Sequence, residues 1–245
     1  SELRNLNALC ANENAFANQV RSVCFYDTDN FDLYNNHFIV RLRTLYSNGW
    51  PAATPELTVK FRHPDFKEAA GVNIQPATPG ATRIKFKEEL LPMNDRLGAM
   101  RSTFSHNCVL ALPRVAANLA VQDITTAFPA FSRVPVAGSA HVSLVNDAHV
   151  EELQANVGVI HFGHGLKGKA SVAVWRDRRH DLSICGEFAF QCKFDRQEDA
   201  HRGSLAKADA FYCEVQLAAS DWVQLKTTKT AMVYAAGNKP LSNNE

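Results

Sequence analysis

The sequence predicts an α+β fold built mainly on antiparallel strands, with helices packed outside the sheet. Alternation is the first reason. In "HFIVRLR", Phe38, Val40 and Leu42 interleave with Arg41 and Arg43, and a strand projects successive side chains to opposite faces. Repetition of that design is the second. Leu57, Val59 and Phe61 alternate with Glu56, Thr58, Lys60 and Arg62, and Ile84 and Phe86 alternate with Arg83, Lys85 and Lys87. Phe188, Phe190, Cys192 and Phe194 alternate with Glu187, Ala189, Gln191 and Lys193, a more polar version of the same pattern. The third reason is a closing stretch, "SLAKADAFYCEVQLAASDW". Its Leu205, Ala208, Tyr212, Val215, Ala219 and Trp222 fall on one helical stripe behind Ser204 as a cap.

Taken in order, Leu3, Leu6, Leu9 and Phe16 recur at near-helical intervals, which predicts a short N-terminal helix ahead of a strand around Val23 to Tyr26. "YSNGWPAATP" marks a loop, and "ELTVKFRH" follows as a strand. "HPDFKEAAGVNIQPATPGAT" reads as a connection to the strand "TRIKFKEEL". "NCVLALPRVAANLAVQDITTAFPAF" predicts helix or loop outside the sheet, broken at Pro113 and Pro129. Strands resume in "RVPVAGSAHVSLVN", "VGVIHFG", "ASVAVWRDR" and "SICGEFAFQCKF". The expected organisation is one domain over 1–245. A strand-rich half covers about 1–100, a helical insert about 101–130, and C-terminal strands with a closing helix about 131–245.

Charge narrows the function classes. Lys and Arg number 26 against 25 Asp and Glu, a formal net charge of +1, so nothing pulls the whole chain toward nucleic acid or anionic membrane. Affinity for an anion must come from placement, and neither nucleic acid nor membrane is expected as a partner. No apolar run is long enough to span a bilayer. Six cysteines occur without any C-x-x-C pair, which favours reduced thiols and a cytoplasmic setting over disulfides in a secreted chain. There is no P-loop and no nucleophile elbow. Asp27 and Asp29 read as turn carboxylates, and His161 and His164 as turn histidines rather than a ligand pair. "WRDRRH" at 175–180 reads as a solvated hairpin tip, and Lys226 and Lys229 as complements to a helix C-terminus.

If the apolar faces meet helices, the charged faces share the opposite surface. On an open sheet those charges are solvated; in a closed barrel they line a lumen. Pattern alone leaves both readings open. In a lumen, crowded cations repel by an energy on the order of kilocalories per mole per pair at an effective dielectric of about 20. A highly charged anion would offset that cost, and polyphosphate fits. Arginine grips phosphate oxygens bidentately, while lysine acts as a compact point charge.

The run "FYDTDNFDLYNNHFIVRLR" followed by "ELTVK" resembles the signature of the CYTH superfamily, the triphosphate tunnel metalloenzymes. Its marks are a Tyr-Asp-Thr turn, a Leu, an Arg-x-Arg strand and a Leu-x-x-Lys strand, all within residues 25–62. The resemblance implies an antiparallel eight-stranded tunnel-like β-barrel in which basic residues hold a triphosphate and carboxylates bind Mg²⁺ or Mn²⁺. It makes Arg41, Arg43 and Lys60 triphosphate ligands, with Arg62 as an addition. Arg83, Lys85 and Lys87 join them by face rather than by motif. In the second half, Arg133 and Lys193 are the corresponding basic residues and Glu187 resembles a metal-binding carboxylate. The Glu-x-Glu-x-Lys strand usual at the start of the family does not precede Tyr26, so it either lies upstream of Ser1 or is lacking. Gln191 also stands where a carboxylate would suit a hard cation. The implied activity is hydrolysis of an inorganic or organic triphosphate. Nucleotidyl cyclisation, or polyphosphate binding without turnover by an incomplete metal site, are the alternatives. No residue is assigned to activate water.

Overall fold

The computed structural model describes residues 9–10, 18–78, 80, 82–112, 115, 118–194, 196 and 200–237. Eight long strands make one antiparallel sheet: β1 (Asn18–Thr28), β2 (Phe38–Ser47), β3 (Glu56–His63), β4 (Thr82–Pro92), β5 (Met100–Ala111), β6 (Val150–Gly163), β7 (Leu166–Asp177) and β8 (Leu182–Cys192). Their spatial order is β8-β7-β6-β1-β2-β3-β5-β4. Short pieces at Leu9–Cys10, Trp50–Pro51, Leu119–Ala120 and His141–Leu144 add to this sheet. The two outermost strands, β8 and β4, do not hydrogen-bond to each other among the described residues. The fold is α+β and antiparallel as expected, but the eight strands are not closed into a barrel among the described residues.

The alternating apolar residues bury one face. Phe38, Val40, Leu57, Val59, Phe61 and Cys108 of β2, β3 and β5 pack with Leu33, Val72, Ile74, Val121, Ile124, Phe128 and Phe131 from the connecting segments. Over this outer face lie α1 (Phe66–Gly71), α2 (Val121–Ala127) and a 3₁₀ turn at Pro129–Arg133. Full burial of a side chain such as Phe38 or Phe131 is worth about 1.5–3 kcal/mol. A second core fills one end of the inner face. Val23, Phe25, Ile39, Val150, Ala173 and Trp175 meet Phe31, Tyr34, Val233 and Tyr234 there.

The helix after β8, α3 (Arg202–Ala218), links the two ends of the sheet. Its Phe211 ring lies 5.9 Å from Phe162, 6.5 Å from Phe188 and 5.6 Å from Phe190, which fixes it to β6 and β8. Further along, Gln216 accepts a hydrogen bond from the Gly98 amide at 3.2 Å, in the turn between β4 and β5. A Cβ at Gly98 (φ +72°) would press on Leu217 at 3.2 Å, so the close approach also needs glycine. One helix thus reaches from β6 and β8 to the turn that joins β4 and β5.

Several elements differ from the sequence reading. Residues 100–111 form β5, not part of a helical insert; only Val121–Ala127 is α-helical within 101–130. Asn107, Cys108 and Val109 are buried on both faces, and such a run loses the alternation that marks a strand. The connection after His63 holds α1, capped by Asp65, whose carboxylate accepts from the Lys67 and Glu68 amides. In "RVPVAGSAHVSLVN" only His141–Leu144 is strand. The cap of α3 is His201. Ser204 lies inside the helix and donates to the Gly163 carbonyl at 2.9 Å, while Trp222 is 91% exposed. Apart from Leu9–Cys10, which pair with β6, the expected N-terminal helix falls outside the described residues until β1. Cys24, Cys108, Cys185, Cys192 and Cys213 are free thiols. Among the described residues no helix is long and apolar enough to cross a membrane.

Asp27 ties the β1–β2 connection to the C-terminal helix α4 (Lys229–Ala235). Its carboxylate accepts from the backbone amides of Thr28, Leu33 and Tyr34 at 2.7, 2.9 and 2.9 Å, and from the Tyr234 hydroxyl at 3.2 Å. Burial outweighs those donors and raises its pKa to about 6. Asp27→Ala leaves buried amides without an acceptor and should cost about 3 kcal/mol, whereas Tyr234→Phe should cost about 1 kcal/mol. Urea unfolding of the two variants checks this; equal small losses would show that Asp27 does not organise the turn.

Candidate functional site

Strand register decides which charges share a surface. Arg41 lies opposite Thr58 on one side and Phe25 on the other, and Arg43 opposite Glu56 and Val23. Lys60 lies opposite Asn107, which in turn faces Lys85, and Arg62 lies opposite Ser105, which faces Lys87. Across β1, Arg21 is opposite Glu152, which faces Trp175, and Ala173 is opposite Glu187. Opposed residues point to the same face of a sheet. The inner face therefore carries Arg41, Arg43, Lys60, Arg62, Arg83, Lys85, Lys87 and Glu187 together, with Arg21, Glu56, Glu89 and Glu152.

Two clusters of ion pairs hold this face. In one, Glu89 accepts from Lys60 at 2.6 Å, Arg62 at 2.7 Å and the Ser105 hydroxyl at 3.1 Å. Burial opposes ionisation of Glu89, but Arg62 and Lys60 outweigh it and hold the carboxyl well below its usual range. Lys60 moves the other way. Burial, then Arg62, push its ammonium down to about 7 despite the pairing with Glu89. In the other cluster, Glu152 accepts from Arg21 at 2.8 Å and from the Trp175 indole at 2.9 Å, with Arg43 at 3.9 Å. Arg43, Arg21 and Lys229 hold its pKa at about 2 against the effect of burial. Arg21 also donates to Gln154 and Gln19, and Arg83 pairs with Glu56.

Between the clusters the cations lack counter-charges. Among the described residues, Arg41, Lys85, Lys87 and Lys193 have no ion-pair partner. Arg41 donates to the Thr58 hydroxyl at 3.2 Å, yet its Nε, like that of Arg43, is buried without an acceptor. Burial and the neighbouring Arg43 lower the Arg41 pKa to about 9. Lys87 is also lowered, first by burial and then by Lys85, Arg41 and Lys193 against Glu89. Lys193, just past β8, thus acts on Lys87 of β4 although the two strands do not pair.

Arg133 is not with them. It sits on the outer side, 3.7 Å from Glu68 and over the Phe61 ring, beside a cleft of about 430 Å³ between α1 and the 3₁₀ turn. That cleft offers no other charged side chain, so it does not compete with the basic face. His164 sits at a turn with φ +46°, stacked on His201, and "WRDRRH" leads from β7 into its turn, with Arg176 paired to Asp181. Lys229 differs from expectation: it opens α4 rather than following a helix, and its ammonium is 2.6 Å from Glu187. Arg21, Glu89, Glu152 and Lys229 are the members of this face that sequence spacing missed. Their partners lie far away in the chain, as with Arg21 and Glu152, 131 residues apart.

The expected Mg²⁺ or Mn²⁺ calls for oxygens free to coordinate. Among the described residues no three His, Cys, Asp or Glu side chains converge, and Glu89, Glu152 and Glu187 are each engaged by cations. These residues do not fit a divalent ion.

No family model matches the chain, and no curated protein matches it. Among solved structures it is similar to HpAC1 of Hippeastrum, named as an adenylyl cyclase and described as having a dominant triphosphatase activity. The identity is 13%, covering 94% of this chain and 87% of that one, with a TM-score of 0.43. It is also similar to a protein of Bacillus halodurans named as an adenylate cyclase, at 10% identity over 86% and 79% of the two chains, with a TM-score of 0.38.

The buried ammonium makes a pH test. Between about pH 7 and the ordinary lysine value of 10.5, the unfolded chain keeps a proton that folded Lys60 has released, so stability rises with pH across that window. Denaturant midpoints from pH 7 to 10 should climb more steeply in the natural protein than in Lys60→Met. Parallel profiles would reject the depressed lysine.

Proposed function

We propose that the inner face binds a small linear polyphosphate of the triphosphate class. One observation carries this reading: Arg41, Arg43, Lys85, Lys87 and Lys193 act on one surface, largely without carboxylate partners, and two buried guanidinium Nε atoms lack acceptors. Cations about 6–8 Å apart repel by about 2–3 kcal/mol per pair at an effective dielectric of about 20. A chain of phosphates would relieve several such pairs at once and supply the missing acceptors. A single carboxylate ligand would leave most of the excess in place. The CYTH resemblance of residues 25–62 points to the same ligand class, with Arg41, Arg43 and Lys60 as its clamps and Arg62, Lys85, Lys87 and Lys193 completing the grip.

What the face supplies chemically is electrostatic complementarity to phosphate oxygens, the larger part of what phosphoryl transfer asks of a protein. The residues that carry the reading supply charge and hydrogen-bond donors, so binding is the function assigned. Release of inorganic phosphate from triphosphate above background would extend the assignment to hydrolysis.

Titration calorimetry with inorganic triphosphate tests the reading. Arg41→Ala and Arg43→Ala should each weaken binding by about 1.5–3 kcal/mol, the range for hydrogen bonds to charged groups, while Arg133→Ala should leave it unchanged. Equal affinities for all three would reject the inner face as the site. Because the bound anion favours protonated Lys60, whose free pKa is about 7, affinity should fall as pH rises from 7 to 9, by up to about tenfold per pH unit. A flat profile would remove Lys60 from the contact set.

A further inference from the structure

Lys229 occupies a place on the inner face where a cation is enclosed by acceptors. Its ammonium lies 2.6 Å from Glu187 and 3.8 Å from Glu152, and 4.9 Å from the centroid of the Trp175 ring. Two carboxylates and an aromatic face are groups that attract a cation. The arrangement is fixed from outside. Thr228 caps α4 by accepting from the Ala231 amide at 3.2 Å, and Tyr234 of the same helix donates to Asp27. Lys229 is therefore delivered by an anchored element rather than by a free side chain.

The carboxylates are committed as well. Glu152 spends one oxygen on Arg21 at 2.8 Å and the other on the Trp175 indole at 2.9 Å, and Glu187 receives Lys229. A divalent ion entering here would have to displace an ammonium and compete with Arg21 and Arg43 for the same oxygens. Mg²⁺ also demands near-octahedral oxygen ligation, which the described residues do not provide. Metal on the ligand would in addition cancel part of the charge that draws it to unpaired cations.

We infer that Lys229 stands in for a divalent cation, so that the inner face takes up its polyphosphate as the metal-free anion. The inference rests on the polyphosphate reading above and narrows it to a charge state of the ligand.

Calorimetry with inorganic triphosphate separates the two levels, using the full chain in EDTA and again with Mg²⁺ in excess over the ligand. Expected is binding in EDTA that weakens several-fold with Mg²⁺. Lys229→Gln should lose about tenfold in EDTA, because the two carboxylates then face the phosphates without a counter-charge. Lys229→Arg should retain the EDTA affinity and guards against a folding defect in the neutral variant. Binding by the natural protein that requires Mg²⁺ would overturn this inference and leave the polyphosphate reading standing. So would a Lys229→Gln affinity equal to the natural one in EDTA. No binding in either condition would overturn the polyphosphate reading itself, and the inference with it.

Discussion

Crowding of like charge on one side of a β-sheet is the constraint from which the rest of this structure follows. An antiparallel register that aligns Arg41 with Thr58, Lys60 with Asn107 and Asn107 with Lys85 leaves those cations no other surface to occupy. Two internal acids make the arrangement tolerable. Glu89 gathers Lys60 and Arg62, and Glu152 gathers Arg21 with Arg43 close by. Paired clusters of this kind add little net stability when charges leave water, yet removing one partner from a buried pair is expensive. The carboxylates are thus best understood as what permits the basic face to exist. The cations they do not reach, Arg41, Lys85 and Lys87, are without an ion-pair partner among the described residues.

The apolar chemistry is arranged around the same constraint. With charges on the inner face, the hydrophobic residues of β2, β3 and β5 must be covered from outside, and the connections that carry Val72, Ile74, Val121, Ile124 and Phe131 do this. The inner face is not charged throughout. Phe25, Ile39, Trp175 and Tyr234 close one end of it, and this packed end lowers the dielectric around the neighbouring ions. Depressed pKa values at Arg41 and Lys60 are the result. Asp27, at the join between strand pair and helix, shows how a turn carboxylate that sequence analysis reads as local also fixes a distant element.

Much of this was legible in the sequence, for a simple reason. Period-two alternation in 38–43, 56–62 and 83–87 states which residues share a face, so the basic surface could be drawn before any coordinates. Closure could not be read that way, since whether β8 meets β4 depends on global curvature. Strand β5 was illegible because its central residues are buried on both sides. Glu89 sits within a strand that had been recognised, but its role depends on partners in β3 and β5 that the sequence does not reveal. Lys229 was misread because a lysine near a helix is ordinary, while a lysine delivered to a glutamate 42 residues away in the chain leaves no local trace.

The helix that follows β8 bears on how this protein behaves among its own copies. The sheet ends in two margins, β8 and β4, that do not pair with each other among the described residues and are flanked by exposed Ile84, Phe86 and Phe188. Such margins invite strand addition from another chain. By spanning from Phe162 and Phe190 to the β4–β5 turn, α3 bridges the two ends of the sheet, so its removal should open the margins to strand addition from another chain.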